Sequence, residues 1–208
     1  MFPDLIQNID KWLFFAINRG TANSVFDNLM PFISTGTNWF LVYAFLFGWL
    51  LWKGGSKGRI TAITLIITII LVDQVNSFIL KDLFARLRPC QVLDNVRLLM
   101  PCGGGKSFPS SHAANNFAAV IILSYFYRQY KWVYFSIAVA ISYSRVYVGV
   151  HYPLDVLGGI IFGISVAILI IYLWEIISGK LLKYIIKPEK KSFIFSELRK
   201  QTEDTSNH

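Results

Sequence analysis

Apolar and polar positions along this 208-residue chain fall into distinct regimes. Over residues 3–18, Leu5, Ile9, Trp12 and Leu13 recur at helical spacing, while Asp4, Asn8 and Lys11 fall elsewhere. That pattern predicts an amphipathic helix lying in a membrane interface rather than crossing it. A second short amphipathic piece is expected over about 25–33, made irregular by Pro31. Beyond it the pattern changes to apolar runs over about 37–52, 60–80, 111–127, 132–148 and 154–177, with short polar turns between them. A bilayer core is crossed by about 20 apolar residues, so each run is read as a span. The expected fold is an all-α integral membrane helical bundle, with about five transmembrane helices plus the N-terminal interfacial helix. No internal repeat is visible.

Composition supports this picture. The chain is 54% hydrophobic and only 15% charged, against about a quarter charged in soluble domains. One membrane-embedded domain over 1–187 is expected, followed by a polar, basic cytoplasmic tail over 188–208. Residues 1–20 carry Asp4 and Asp10, and the apolar run 12–17 is too short for a signal core, so no cleavable leader is expected.

The formal charge of +8 raises nucleic acid as a partner. The cations, however, sit in short loops and the tail, as a topology signal places them. Twelve of the 20 Lys and Arg lie in the turns at 53–59 and 128–131 and from Lys180 onward. The other eight lie on the opposite side, and three of those (Lys81, Arg88, Arg145) belong to the chemistry below. The first side is then cytoplasmic, and the chemical residues face outward. The bilayer, not nucleic acid, is the expected partner; the pattern sets no oligomeric state.

Cys90 and Cys102 share one loop. A zinc site takes about four ligands, and this loop holds no histidine. The pair is either two free thiols or a disulfide, the latter fitting an oxidising compartment.

Three stretches place reactive side chains at ends of apolar runs. Lys81–Pro89 carries Lys81 and Arg88. Pro109-Ser110-Ser111-His112 opens a predicted helix, where serine caps well and free amides bind anions. Ser144–Asp155 carries Arg145, His151 and Asp155, with Pro153 at a first helical position. Arginine forks and a lysine suit phosphate oxygens. His151 and Asp155 are four apart, close enough for the carboxylate to fix the imidazole tautomer and leave the other nitrogen free to attack. Any of these cations alone reads as an ordinary juxtamembrane charge; together they read as one phosphate-handling site.

Lys-(six residues)-Arg-Pro, then Pro-Ser-x-His, then Ser-Arg-(five residues)-His-(three residues)-Asp closely resemble the three signature motifs of the type-2 phosphatidic acid phosphatase superfamily. The resemblance implies that His151 is a nucleophile forming a phosphohistidine and that Asp155 orients it. It implies that His112 protonates the leaving oxygen and then activates water. Lys81, Arg88, Ser110 and Arg145 would hold the phosphoryl oxygens, helped by the Ser111 amide. Ser111 departs from the family pattern, where glycine is usual. The implied chemistry uses no metal and no cofactor, because fixed cations meet the phosphoryl charge.

Two other features are weaker. Gly103-Gly104-Gly105-Lys106-Ser107 resembles a nucleotide phosphate loop, but its first glycine would fall at Met100 and no strand precedes it; it reads as a flexible loop over the site. Asp73 lies inside the second apolar run, where a carboxylate is a functional candidate by default; about two turns from Lys81, it is expected to support the cationic site or helix contacts, not to attack the substrate. The resulting expectation is a lipid phosphatase at the outer face of a bacterial-type inner membrane. Its substrate would be a lipid phosphomonoester or diphosphate such as undecaprenyl diphosphate, lipid A, phosphatidylglycerol phosphate or phosphatidic acid. A lipid phosphotransferase using the same phosphohistidine, and a small transporter using Asp73, are the alternatives.

Overall fold

A computed structural model describes residues 3–185; the expected tail over 188–208 lies outside the described residues. Among these, every regular element is helical. The N-terminal pair is α1 (Asp4–Asn18) and α2 (Ser24–Ser34). A 3-10 turn leads into α3 (Phe40–Trp52), then α4 (Gly55–Val75), a π-helical turn at Asn76–Leu80 and the short α5 (Lys81–Phe84). After the one-turn α6 (Pro89–Val92) come α7 (Ser111–Phe126), α8 (Lys131–Tyr147) and α9 (Pro153–Ile185).

All five apolar runs are therefore helical, with α4 beginning earlier and α9 running further than the pattern suggested. The stretches Gly55–Val92 and Pro153–Gly179 are long and apolar enough to cross a membrane, and Ser24–Ser34 with Gly36–Trp52, bent by 72°, makes a third if counted as one broken span. Helices α7 and α8 are 16 and 17 residues long. Large apolar side chains stay exposed: Leu41 and Phe45 on α3 (77% each), Ile63 and Ile70 on α4, Trp132 on α8, Ile161 on α9. Such an apolar exterior suits hydrocarbon. The apolar stripe of α1 (Leu5, Ile9, Trp12) is exposed too, as an interfacial helix requires.

The described residues group into two units, one ending at residue 170 and the other beginning at residue 171. The second contributes helical residues 171–185. The first holds the core and all the chemistry. Its centre is α7, packed against α4 and α8. Small residues let backbones approach closely between membrane helices, and α7 buries Ala113, Ala114 and Ala118 completely. Gly163 of α9 sits so close that a Cβ there would lie 2.1 Å from the Ala114 carbonyl oxygen, and at Gly159 one would lie 2.4 Å from that of Ser110. This contact brings the start of α9 against the start of α7.

Disulfide-bonded Cys90 and Cys102, with Cα atoms 5.9 Å apart, close the loop between α6 and α7.

Candidate active site

Lys81 follows directly from the π-helical turn that ends the α4 run. One extra residue per turn re-aims the helix end, and such bulges recur at functional sites. Asn76, at the start of that turn, is fully buried. Its amide donates to Ser111 Oγ at 2.8 Å and to the Pro109 carbonyl at 3.2 Å. It thereby fixes the α4 end to the α7 N-terminus, and the hydroxyl of Ser111 serves as the acceptor. Ser110 is the N-cap of α7; its side chain accepts from the Ala113 amide at a long 3.5 Å. The Ser110 amide donates to the Asp155 carbonyl at 2.9 Å.

The third stretch leaves α8 through a turn that needs Gly149. Its φ is +89°, and a Cβ would meet the Arg97 carbonyl and the Val96 side chain at 2.9 Å. Only glycine accepts such a conformation readily. The turn is tied back by the Val150 and His151 amides, both donating to the Arg145 carbonyl. Pro153 then starts α9, as its fixed φ favours.

His151 is 2% exposed. Its Nδ1 lies 3.5 Å from Asp155 Oδ2, near enough for an ion pair but not aligned as a hydrogen bond. On its other side Nε2 lies 3.1 Å from Arg88 Nη1, which also donates to the Val150 carbonyl at 3.0 Å. Arg88 Nε donates to the Gly105 carbonyl at 3.0 Å, so the glycine-rich loop holds this guanidinium. Burial pushes the His151 imidazole down to about 4, with Asp155 pulling the other way and Arg88 and Arg145 adding to the fall. It is therefore the neutral imidazole at ordinary pH, with a lone pair free of a proton.

Arg145 donates through Nη1 to both the carbonyl (3.1 Å) and hydroxyl (2.6 Å) oxygens of Ser34, which ties α8 to α2, while its buried Nε has no partner. His112, in the first turn of α7, lies within electrostatic reach of His151, Arg145, Lys81 and Arg88. Lys81 in turn feels Arg88, Arg145 and Asp73. The structure thus gathers His112, His151, Asp155, Lys81, Arg88, Arg145, Ser110 and Ser111 around the starts of α7 and α9. Asp73 is set one step away: its Oδ1 accepts from Asn115 at 3.5 Å. With Ser111 and His112 it lines an otherwise largely apolar cavity of about 600 Å³, walled by residues such as Phe47, Leu65 and Ile69.

Sequence reasoning missed Arg86 and Asp10. Arg86 reads as one more outward-facing topology cation, yet it is 7% exposed and bridges Asp10 and Asp155. Asp10, read from the sequence only as a charge arguing against a leader, is fully buried. The available signal was position: a third cation within the Lys81–Pro89 stretch, and an acid on the helix face opposite Leu5 and Trp12.

The sequence model of the PAP2 superfamily matches residues 60–177. A lipid A 4'-phosphatase of Porphyromonas gingivalis is 30% identical over 171 residues, covering 78% of this chain and 72% of the relative. The undecaprenyl-diphosphatase BcrC of Bacillus subtilis is 28% identical over 186 residues, covering 82% and 92%. Among solved structures, that of Aquifex aeolicus LpxE superposes with a TM-score of 0.67 at 28% identity, covering 79% of this chain and 95% of that one.

Proposed function

The chain belongs to the PAP2 superfamily, and from that premise we propose that it is an integral membrane phosphatase hydrolysing a lipid phosphomonoester or diphosphate through a phosphohistidine. The observation that carries this reading is the setting of His151. A buried neutral imidazole has a carboxylate behind Nδ1 and a guanidinium beside Nε2.

In the proposed sequence the phosphoryl group displaces the Arg88 Nη1 contact at Nε2, so that Arg88 moves onto its oxygens together with Lys81, Arg145, the Ser110 hydroxyl and the Ser111 amide. Nε2 attacks phosphorus as the bond to the lipid oxygen breaks, and His112 gives that oxygen its proton. The same His112 then takes a proton from water as water displaces the imidazole and frees inorganic phosphate. Asp155 stabilises the positive charge that the imidazole gains. Preorganised cations supply the electrostatic stabilisation that phosphoryl transfer demands. Asp73 supports Lys81 from the cavity wall. The apolar cavity at His112 takes the hydrocarbon next to the phosphate; undecaprenyl diphosphate, lipid A, phosphatidylglycerol phosphate and phosphatidic acid are the lipids to try.

The active face is proposed to be the outer or periplasmic side of a bacterial-type inner membrane. The disulfide at Cys90–Cys102, on the same side as the site, supports this, as does the lysine-rich opposite side. Residues 1–187 are proposed to carry the whole activity, so a chain ending there keeps its turnover.

Purified protein in detergent with EDTA, given a panel of these lipids and no added acceptor, tests the reading. Release of inorganic phosphate from at least one is expected. Release only after an acceptor alcohol is supplied would make it a phosphotransferase, and no release from any would overturn the proposal.

A further inference from the structure

Behind Asp155 lies a cluster of charges that the phosphate-handling scheme does not use. Arg86, in the link between α5 and α6, donates through Nη1 to Asp155 Oδ1 at 2.7 Å and through Nη2 to Asp10 Oδ2 at 2.5 Å. Both carboxylates are fully buried. The other oxygens are also engaged: Asp155 Oδ2 accepts from the Tyr152 amide at 2.8 Å, and Asp10 Oδ1 from the Leu154 amide at 2.9 Å. The Tyr152 ring lies against the guanidinium, 4.0 Å from its centre. All four carboxylate oxygens thus have donors, and the turn from His151 into α9 is clamped from two sides.

Buried ion pairs contribute little net stability, because desolvation offsets the attraction. A well-packed apolar trio would serve stability as well. What a fork between two carboxylates does supply is orientation. With Oδ1 held by Arg86, the Asp155 carboxylate cannot turn, and Oδ2 stays on the imidazole side. Arg86 also withdraws charge from Asp155, and Asp10 offsets that withdrawal.

We propose that Arg86 and Asp10 are positioning residues for His151: Arg86 sets the orientation and effective charge of Asp155, and Asp10, delivered by the N-terminal interfacial helix, holds Arg86 and tempers its charge. Neither touches the phosphoryl group. The inference rests on His151 being the nucleophile.

It makes a prediction of opposite signs. Removing the positive charge of Arg86 leaves Asp155 without its counter-charge, stabilises the imidazolium, and moves His151 protonation to higher pH. This holds even if Asp10, whose carboxyl burial already pushes up, then takes a proton. Removing the negative charge of Asp10 leaves Arg86 acting on Asp155 alone and moves protonation to lower pH. The remaining groups facing His151 are Arg88, Arg145 and His112, and they are the same in both variants.

The test uses the full chain in detergent, with p-nitrophenyl phosphate and the best lipid phosphate as substrates. Rates across pH are measured for wild type, Arg86→Met, Arg86→Lys and Asp10→Asn, alongside ¹⁵N-histidine NMR of the His151 titration. Arg86→Met is expected to lower kcat roughly 10- to 100-fold, as loss of an orienting outer partner typically does, with KM little changed. Its acid limb moves up, and that of Asp10→Asn moves down. Arg86→Lys restores the limb but only part of kcat, because one ammonium cannot fork two carboxylates. If Arg86→Met does not fold, Asp10→Asn and Arg86→Lys decide. Lower rates with unmoved limbs, or limbs that move the same way, overturn the inference. Opposite NMR shifts in a protein that cleaves no phosphate uphold the coupling to His151 and overturn the hydrolase reading instead.

Discussion

The backbone amide of Ser110 donates to the carbonyl oxygen of Asp155 at 2.9 Å. One hydrogen bond thereby joins the first residue of the α7 cap to the first turn of α9, and places the helix bearing His112 against the helix that follows His151. Residues 45 apart in sequence are set side by side by it, and the glycine contacts further along α9 hold the same pair of helices together.

The two histidines should separate by leaving group. His151→Ala is expected to lower turnover by roughly three orders of magnitude or more on every substrate, since removing a nucleophile removes the pathway. His112→Ala should cost roughly 10²–10⁴-fold on a lipid alkoxide, the usual scale for a general acid, but less on p-nitrophenyl phosphate, whose leaving oxygen needs no proton. Rapid-quench trapping should find labelled phosphohistidine in the second variant and none in the first.

Acid should weaken the native state through His151. Burial holds this imidazole at about 4, below its unfolded value of about 6.5. The folded state therefore binds fewer protons than the unfolded one between these values, and stability falls as pH falls. The sign is that of a depressed group: the contribution is complete above about 6.5 and is lost as pH drops through 4. The total is about 3 kcal/mol. Denaturant midpoints of wild type and His151→Gln in detergent should differ by an amount that shrinks between pH 6.5 and 4.

Gly163→Leu should separate α9 from α7. A side chain there would begin 2.1 Å from the Ala114 carbonyl, whereas a Cβ at Gly48 meets nothing within 4 Å. Overpacking of this kind costs about 1–3 kcal/mol or more. Thermal midpoints should fall and kcat with them, while Gly48→Ala changes neither.

Reducing the Cys90–Cys102 bond should loosen the loop that holds Arg88 through the Gly105 carbonyl. Closing a loop of this length stabilises by roughly 3 kcal/mol. Dithiothreitol, or Cys90→Ser, should raise KM for the lipid phosphate more than it lowers kcat. Equal effects on both constants would show that the loop does not act through Arg88.

Membrane character, the five apolar runs and the three chemical stretches were legible in the sequence because they are local. Each apolar run announces itself by composition over 16 or more residues, and each motif by residue type at fixed spacing. The number of membrane crossings was less legible, because α7 and α8 sit at the short limit for a span and α2 with α3 forms a bent pair. Arg86 and Asp10 left only a positional signal, and nothing in the sequence paired them. Periodicity assigns a charged residue on an amphipathic helix to the polar face, and loop cations to the surface, since an unpaired charge cannot be buried. Only the tertiary structure brings the two together from 76 positions apart, with Asp155 as the third partner, and so makes burial of all three possible. The chain's own order fixed which reactive groups exist; packing of α1, α7 and α9 decided which of them face one another, because charge burial depends on partners that no local window contains.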